Sequence, residues 1–148
     1  MLSKTSVYLI RALVELAKLP PDTYSGAVNI AKKIGSPQNY LTKTLKILVQ
    51  NQILTSQKGF GGGVRLARDA SDITLAEVIE PIENLQQQPH CIMGQNRCSE
   101  KHPCALHNQW KKIRAEHQKM LENTTIESIV NFYKNKDYSN GLYEKIIN

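Results

Sequence analysis

Four glycines within residues 59–63 separate two short segments that have the composition of β-strands. Ile53–Ser56 and Val64–Leu66 are rich in β-branched and apolar residues, and the glycines allow the chain to reverse between them. The run is similar to a glycine-rich phosphate loop, but a dinucleotide-binding loop opens a helix, whereas a strand follows here. The pattern therefore predicts a β-hairpin with a flexible tip.

The residues before this hairpin have helical spacing. We predict helices over Ser3–Leu19, over Gly26–Ile34 and from Ser36-Pro37 to Gln50. Gly35 is expected to end the second helix, and Ser36 to be the N-cap of the third. Three helices followed by a glycine-tipped hairpin are the layout of a winged helix-turn-helix. The predicted fold class is mainly α, with a small β-hairpin wing and a long C-terminal helix.

Beyond the hairpin, the pattern indicates three more helices. Thr74 and Glu77 have the spacing of a capping box for a helix over Leu75–Glu83, and Thr124 and Glu127 have the same spacing before a helix ending at Lys134. Between them, a long helix is predicted from Cys104 onward. We therefore divide the chain into a DNA-binding domain (1–83), a cysteine-rich loop (84–104), a dimerisation helix with a short following helix (105–134) and a tail (135–148).

Charge is distributed unevenly along the chain. The net charge is +6, but residues 1–68 hold ten Lys and Arg against two acidic residues, whereas residues 69–148 hold nine against eleven. A front half with a charge of +8 attracts a polyanion, and nucleic acid is the commonest one. A basic face exposed to solvent, with no partner, is the alternative.

The predicted third helix and hairpin supply the side chains for DNA. Amides suit adenine and lysine suits guanine in the major groove, while glycines let the backbone approach phosphate. We expect base contacts from Gln38, Asn39, Thr42 and Lys43, phosphate contacts from Lys46, Lys58, Arg65 and Arg68, and close backbone approach at Gly61 and Gly62.

All three cysteines fall in the cysteine-rich loop, in the pattern Cys91-x6-Cys98-x5-Cys104-x2-His107. Thiolates and imidazole are ligands for iron–sulfur clusters or zinc. The spacings are wider than the CxxC-type knuckles of zinc fingers, which favours a cluster and keeps zinc as the alternative. His90 and His102 are weaker candidates for the fourth ligand.

The long helix carries an apolar stripe with spacing close to a heptad, made of Leu106, Trp110, Ile113, His117, Met120 and Leu121. Such a stripe is typical of a dimerisation helix, and burial against the chain's own core explains the same spacing equally well.

Other functions find little support in the sequence. We find no nucleophile–base pair and no paired carboxylates, so we do not expect an enzyme. Apolar stretches are short and the mean hydropathy is −0.40, which predicts no membrane contact. Charged residues interrupt Met1–Leu19, so no signal peptide is expected, and we place the protein in the cytoplasm.

These features together resemble the Rrf2 family of winged-helix transcription regulators, which includes IscR, NsrR and RirA. The resemblance extends to about Val130, and the glycine run followed by three cysteines is its most specific mark. Its other marks are Met1–Thr5 with Tyr8, Arg11 and Ala12, Ile30-Ala31, Ser36-Pro37 through Tyr40-Leu41, and Ile73–Leu75 before Val78-Ile79.

The resemblance implies a homodimer that binds a pseudo-palindromic operator in double-stranded DNA, with a cluster near the dimer interface. It matches Cys91, Cys98 and Cys104 to the cluster thiolates and His107 to the histidine ligand of IscR-like members. NsrR-like members use an acidic residue where this chain has Val7, which cannot ligate. A 2Fe–2S cluster is therefore favoured, with 4Fe–4S possible.

The leading hypothesis is a DNA-binding regulator whose operator affinity depends on an iron–sulfur cluster. The alternatives are a regulator with a structural zinc site and a small electron carrier, against which the basic front half argues.

Overall fold

The computed structural model describes residues 2–85, 91–94 and 98–134. Within these ranges it contains six α-helices, a short 3-10 helix and a two-stranded antiparallel sheet. The elements, in chain order, are α1 (Lys4–Ala17), α2 (Ala27–Ile34), α3 (Gln38–Gln50), β1 (Leu54–Gln57), β2 (Gly63–Leu66), the 3-10 helix (Ala70–Asp72), α4 (Leu75–Glu83), α5 (His107–Asn123) and α6 (Ile126–Lys134). The predicted mainly helical class with a β-hairpin is confirmed.

Helix α1 lies at the centre of the molecule. It packs against α2, α3, α4, α6 and β2. Its inner face, Leu9, Ala12 and Leu13, is fully buried. Since α6 contributes Ile126 and Val130 to the same core, the C-terminal helix and the N-terminal helices share one apolar interior.

Several predicted helix ends are confirmed by the backbone. Gly35 ends α2 in the left-handed conformation that glycine favours, at φ +67°. Thr74 and Glu77 form both hydrogen bonds of the predicted capping box at the start of α4. Ser3 caps α1, its Oγ accepting from the Ser6 N–H.

Three predicted helix starts are wrong. The N-cap of α3 is Pro37, and the Ser36 hydroxyl is buried with no hydrogen-bond partner among the described residues. The cap of α6 lies one residue later than predicted, because Thr125 Oγ1 accepts from the Ser128 N–H while Thr124 Oγ1 donates to the carbonyl of α5 residue Met120. Helix α5 begins at His107 and not at Cys104.

The hairpin is fastened to the helical body by a short bridge. Ser25 and Val64 exchange backbone hydrogen bonds of 3.0 and 2.9 Å, which adds the segment before α2 to the edge of β2. Gly63 makes this approach possible, since a Cβ there would lie 2.3 Å from the Ser25 carbonyl oxygen.

A second bridge connects the two ends of the C-terminal half. The Leu75 N–H donates to the Thr124 carbonyl and the Ile126 N–H to the Ile73 carbonyl, both at 2.9 Å. These bonds hold the starts of α4 and α6 side by side.

We expect Gly63→Ser to detach the hairpin from the segment before α2. The new Cβ cannot fit against Ser25, and we predict a loss of at least about 2 kcal/mol in the free energy of unfolding, measured by urea denaturation. The matched control is Gly26→Ser, because Gly26 has room for a Cβ and an N-cap backbone that suits serine. Equal stability of the two variants would contradict the bridge.

The side chain of Glu83 connects α4 to α1 by hydrogen bonds whose contribution to stability depends on pH. Its carboxylate accepts hydrogen bonds from the Ser6 hydroxyl and the Ser3 N–H. Partial burial raises the pKa of Glu83, but the bonds from Ser6 and Ser3 outweigh it and leave the pKa below the ordinary value. Because the pKa of Glu83 is lowered in the folded state, its ionised carboxylate stabilises the fold at pH values above the carboxyl's ordinary pKa. This stabilisation is lost as the pH falls through the lowered pKa.

Accordingly, Glu83→Gln should cost about 1 kcal/mol of unfolding free energy at neutral pH, and the difference from the wild type should shrink as the pH falls below the carboxyl's ordinary pKa. Chemical denaturation over this range measures it. Glu116→Gln, on the exposed side of α5, should show no such pH-dependent difference. A difference that stays constant with pH would refute this connection.

Candidate DNA-binding face and metal centre

Helix α3 presents a polar face that its apolar face holds in place. Leu41, Leu45 and Leu48 are buried in the core, which turns the opposite side of the helix to solvent. The predicted base-contacting residues Gln38, Asn39 and Lys43 are exposed, and so is the predicted phosphate ligand Lys46. Thr42 is half-buried, and its hydroxyl donates to the Gln38 carbonyl at 2.9 Å.

The hairpin presents Lys58 and Gly61 to solvent, while Gly62 is half-buried and its N–H donates to the Gly59 carbonyl. Arg65 lies on β2. Its guanidinium forms an ion pair with Asp22 and lies 5.1 Å from the ring centre of Tyr24. The hydrogen bond to Asp22 raises the pKa of Arg65 further above its ordinary value.

Arg68 lies beyond the hairpin and binds within the chain. Its guanidinium pairs with Glu77 and donates to the Asp72 carbonyl at 3.2 Å, so it connects the end of the wing to the start of α4. Partial burial raises the pKa of Glu77, but bonds from Thr74 and the charge of Arg68 lower it overall. The predicted phosphate contacts of Arg65 and Arg68 therefore require these side chains to exchange an internal carboxylate for a phosphate.

Two residues at the predicted DNA face were not anticipated. Tyr40 is exposed on α3, its hydroxyl bonded to Thr5 Oγ1 and its ring edge-on to Tyr8 at 6.4 Å. Asp22 holds Arg65 across the hairpin's base. Tyr40 could have been identified as an aromatic residue on the polar side of α3. No local sequence pattern predicts the ion pair between Asp22 and Arg65.

The second candidate site lies where the cysteine-rich loop meets α5. His107, the first residue of α5, is buried, and its Nδ1 lies 3.3 Å from Cys98 Sγ. Two ligands at tetrahedral positions around one zinc or iron lie about 3.5 Å apart, given typical metal–sulfur and metal–nitrogen lengths. The structure thus brings one predicted thiolate and the predicted imidazole close to the spacing of a shared ion.

The other nitrogen of His107 is unsatisfied. His107 Nε2 is buried and, among the described residues, has no hydrogen-bond partner. Glu100 Oε2 lies 3.3 Å away without hydrogen-bond alignment, and Glu100 is paired with Lys111 of α5. That ammonium lowers the pKa of Glu100. Glu100 was not predicted at this site, although its place between two candidate cysteines was a usable signal.

The remaining predicted ligands stand nearby in sequence, in turns. The Cys104 carbonyl accepts from the His107 N–H at 3.0 Å, so Cys104 precedes α5 instead of opening it. Cys91 is buried, and its carbonyl accepts from the Gly94 N–H at 2.9 Å. None of the three cysteines forms a disulfide. His102 is exposed, and His90 lies outside the described residues.

The donor set fits an iron–sulfur cluster or zinc in its chemistry and only partly in its arrangement. Three thiols and the imidazole of a buried histidine are suitable ligands. Within residues 2–85, 91–94 and 98–134, however, no three His, Cys, Asp or Glu side chains stand together as a metal site. Binding of a cluster by this set therefore requires the loop to draw Cys91 and Cys104 towards the Cys98–His107 pair.

The residues of the predicted dimerisation stripe lie in two environments, the surface of α5 and the core of the chain. Ile113 and Met120 are 59% and 50% exposed, and Trp110 and His117 are half-buried. Leu121, in contrast, is fully buried in the chain's own core. The stripe therefore includes an exposed apolar face on α5, and Leu121 is a core residue in this chain. In the part of the chain that the structure describes, no helix is long and apolar enough to span a bilayer.

Comparison with known proteins agrees with this architecture. Residues 2–132 match the family model Rrf2, described as an iron-dependent transcriptional regulator. A protein of Aquifex aeolicus described as an HTH-type transcriptional regulator is 30% identical over 131 residues, covering 87% of this chain and 90% of its own length. The regulator IscR of Yersinia pseudotuberculosis is 27% identical over 124 residues, covering 84% of this chain and 75% of its own length.

Among solved structures, CymR of B. subtilis, described as a global cysteine regulator, superposes with a TM-score of 0.76 at 22% identity, over 89% of this chain and 97% of its own. The winged-helix fold predicted from the helices and hairpin is confirmed, and the relatives are transcription regulators, not enzymes. With a matching model over nearly its whole described length, the chain belongs to the Rrf2 family of transcriptional regulators.

Proposed function

We propose that this regulator binds operator DNA as a homodimer and that an iron–sulfur cluster, held by Cys91, Cys98, Cys104 and His107, sets its DNA affinity. The observation that carries the cluster is the contact of Cys98 Sγ with Nδ1 of the buried His107. The similarity to IscR supports the same ligand type.

The DNA-facing part of the proposal depends on side chains that the fold leaves accessible. Gln38, Asn39 and Lys43 are exposed on α3 and would contact bases, and Lys46 and Lys58 would contact phosphates. Thr42 would contact a base through its methyl group, because its hydroxyl donates to the Gln38 carbonyl. Gly61 and Gly62 would let the hairpin backbone approach the duplex.

The cluster-facing part depends on the position of the cysteine-rich loop. It leaves α4 after Glu83 and returns at His107, and both helices pack against each other. An iron–sulfur cluster, when bound, supplies a redox-active and labile centre. Ligation by Cys91 and Cys98 would fix the loop against the first turn of α5, whose exposed face carries Ile113 and Met120.

Homodimerisation through that face would connect the loop to DNA. Two reading helices of a dimer must lie about one DNA turn apart, ~34 Å, to fit two half-sites. Small changes in how α5 packs against its copy would therefore change operator affinity. Trp110, His117 and Met120 are the other members of the proposed interface.

A structural zinc ion is the second candidate, because the same thiols and imidazole bind zinc. Zinc is colourless and has no redox chemistry, so anaerobically purified protein that contains stoichiometric zinc and lacks visible absorption would overturn the cluster. A brown protein with acid-labile sulfide would support it.

We expect Cys98→Ala to abolish the cluster's visible absorption after anaerobic reconstitution and to change operator affinity roughly tenfold. The DNA is a duplex selected by the wild-type protein from a randomised library, and fluorescence anisotropy measures binding. His102→Ala, an exposed histidine of the same loop, serves as the control and should retain both properties. Equal affinity of the wild type with and without cluster would contradict the switch.

For the dimer, Ile113→Glu should weaken self-association at least about tenfold without unfolding the chain, since Ile113 is already exposed within one chain. Light scattering after size exclusion, under anaerobic conditions, measures the mass. Ala115→Glu adds the same charge on another exposed side of α5 and should leave the dimer intact. A monomeric wild type, or a dimeric Ile113→Glu, would contradict the interface.

A further inference from the structure

Phe60, at the tip of the hairpin, is the most exposed large apolar side chain in the described part of the molecule. Its exposure is 108% of the reference value, against 62% for Met93 and 59% for Ile113. Burying a phenylalanine ring away from water releases a large hydrophobic free energy. A fully exposed ring therefore suggests a binding partner that covers it.

The turn that carries Phe60 is closed by a backbone hydrogen bond. The Gly62 N–H donates to the Gly59 carbonyl at 3.0 Å, which places Phe60 and Gly61 at the two central positions. Gly61 has φ +73° while Phe60 has no positive φ, as in a type II turn. A Cβ on Gly62 would lie 2.3 Å from the Gln57 carbonyl oxygen, so the backbone is tightly packed below the tip. The ring of Phe60 therefore projects into solvent from a closed turn.

The charges around the ring favour a polyanion as its partner. Lys58 is exposed two residues away, and the chain has no acidic residue between Asp22 and Asp69. An apolar side chain beside a cation on a narrow projection is the combination with which proteins enter the DNA minor groove and part a base step. An acidic membrane or protein surface would favour more than one apolar residue, and the tip offers only this ring.

We propose that Phe60 is a wedge that inserts between two base pairs beside each half-site, from the minor groove. The inference rests on the proposed DNA binding and adds to it a second source of specificity. Pyrimidine–purine steps unstack most easily, so Phe60 would select such a step at positions that α3 does not contact. Lys58 would hold the adjacent phosphate.

The test uses the full-length protein and duplexes that it selects from a randomised library, with 2-aminopurine placed singly along the sequence flanking each half-site. Unstacking raises 2-aminopurine fluorescence at one step, and gel mobility of circularly permuted fragments reports the accompanying bend. The variants are Phe60→Ala, Phe60→Leu and Phe60→Pro. Proline suits this turn position and so preserves the hairpin while removing the ring.

We expect Phe60→Ala and Phe60→Pro to bind about tenfold more weakly and to lose the fluorescence rise and the bend, with an unchanged dependence on salt. Phe60→Leu should keep most of both signals, because leucine also wedges. Lys58→Ala should keep the fluorescence rise and lower the salt dependence.

Wild-type affinity and a wild-type fluorescence profile in Phe60→Ala and Phe60→Pro would overturn the wedge while leaving DNA binding standing, and would assign the ring to a protein partner instead. Failure of the wild type to select any duplex, with or without cluster, would overturn the proposed function and the wedge together.

Discussion

The packing of α1 against α2, α3, α4, α6 and β2 is the constraint on which the rest of the molecule depends. Its buried leucines lie in one apolar core with residues of α2, α3, α4 and α6. Because α3, which carries the proposed DNA-contacting residues, and α4, which precedes the cysteine-rich loop, both pack against α1, neither can shift far without disturbing a shared core. Close-packed interiors transmit such displacements instead of absorbing them.

This arrangement gives the proposed cluster a route to the proposed DNA-binding surface. The loop starts where Glu83 is bonded to Ser3 and Ser6 of α1, and it ends at His107. Its two ends therefore join helices that pack against each other, and we place the effect of ligation in the loop and on the exposed side of α5. That side is where we place the second copy of the chain, so the coupling we propose runs from thiolates to dimer geometry and then to the spacing of two α3 helices.

The parts of the fold that short-range rules govern were predictable. The Thr74–Glu77 capping box, the left-handed Gly35 and the hairpin follow from residue types at fixed spacings, and the structure has each of them. The errors fall where distant segments decide. Thr125 caps α6 because Ile73–Leu75 pairs with the α5–α6 junction, and no local pattern reports that pairing.

The same distinction holds at the sites. Exposure of Gln38, Asn39, Lys43 and Lys46 followed from helical spacing, whereas the engagement of Arg65 by Asp22 depends on how the hairpin docks. Heptad spacing did not distinguish Leu121, which is in the core, from Met120, which is exposed. The contact of Cys98 with His107 agrees with their predicted partnership, while the assembly of all four ligands stays a prediction.

Native mass spectrometry of protein purified without oxygen measures the central claim most directly, because one spectrum reports the number of chains and the mass of any inorganic group they carry. The account predicts a species with two chains and two iron–sulfur clusters, and the loss of cluster mass in a Cys98→Ala dimer. A spectrum of bare chains after reconstitution with iron and sulfide, or of zinc-loaded chains, would contradict it.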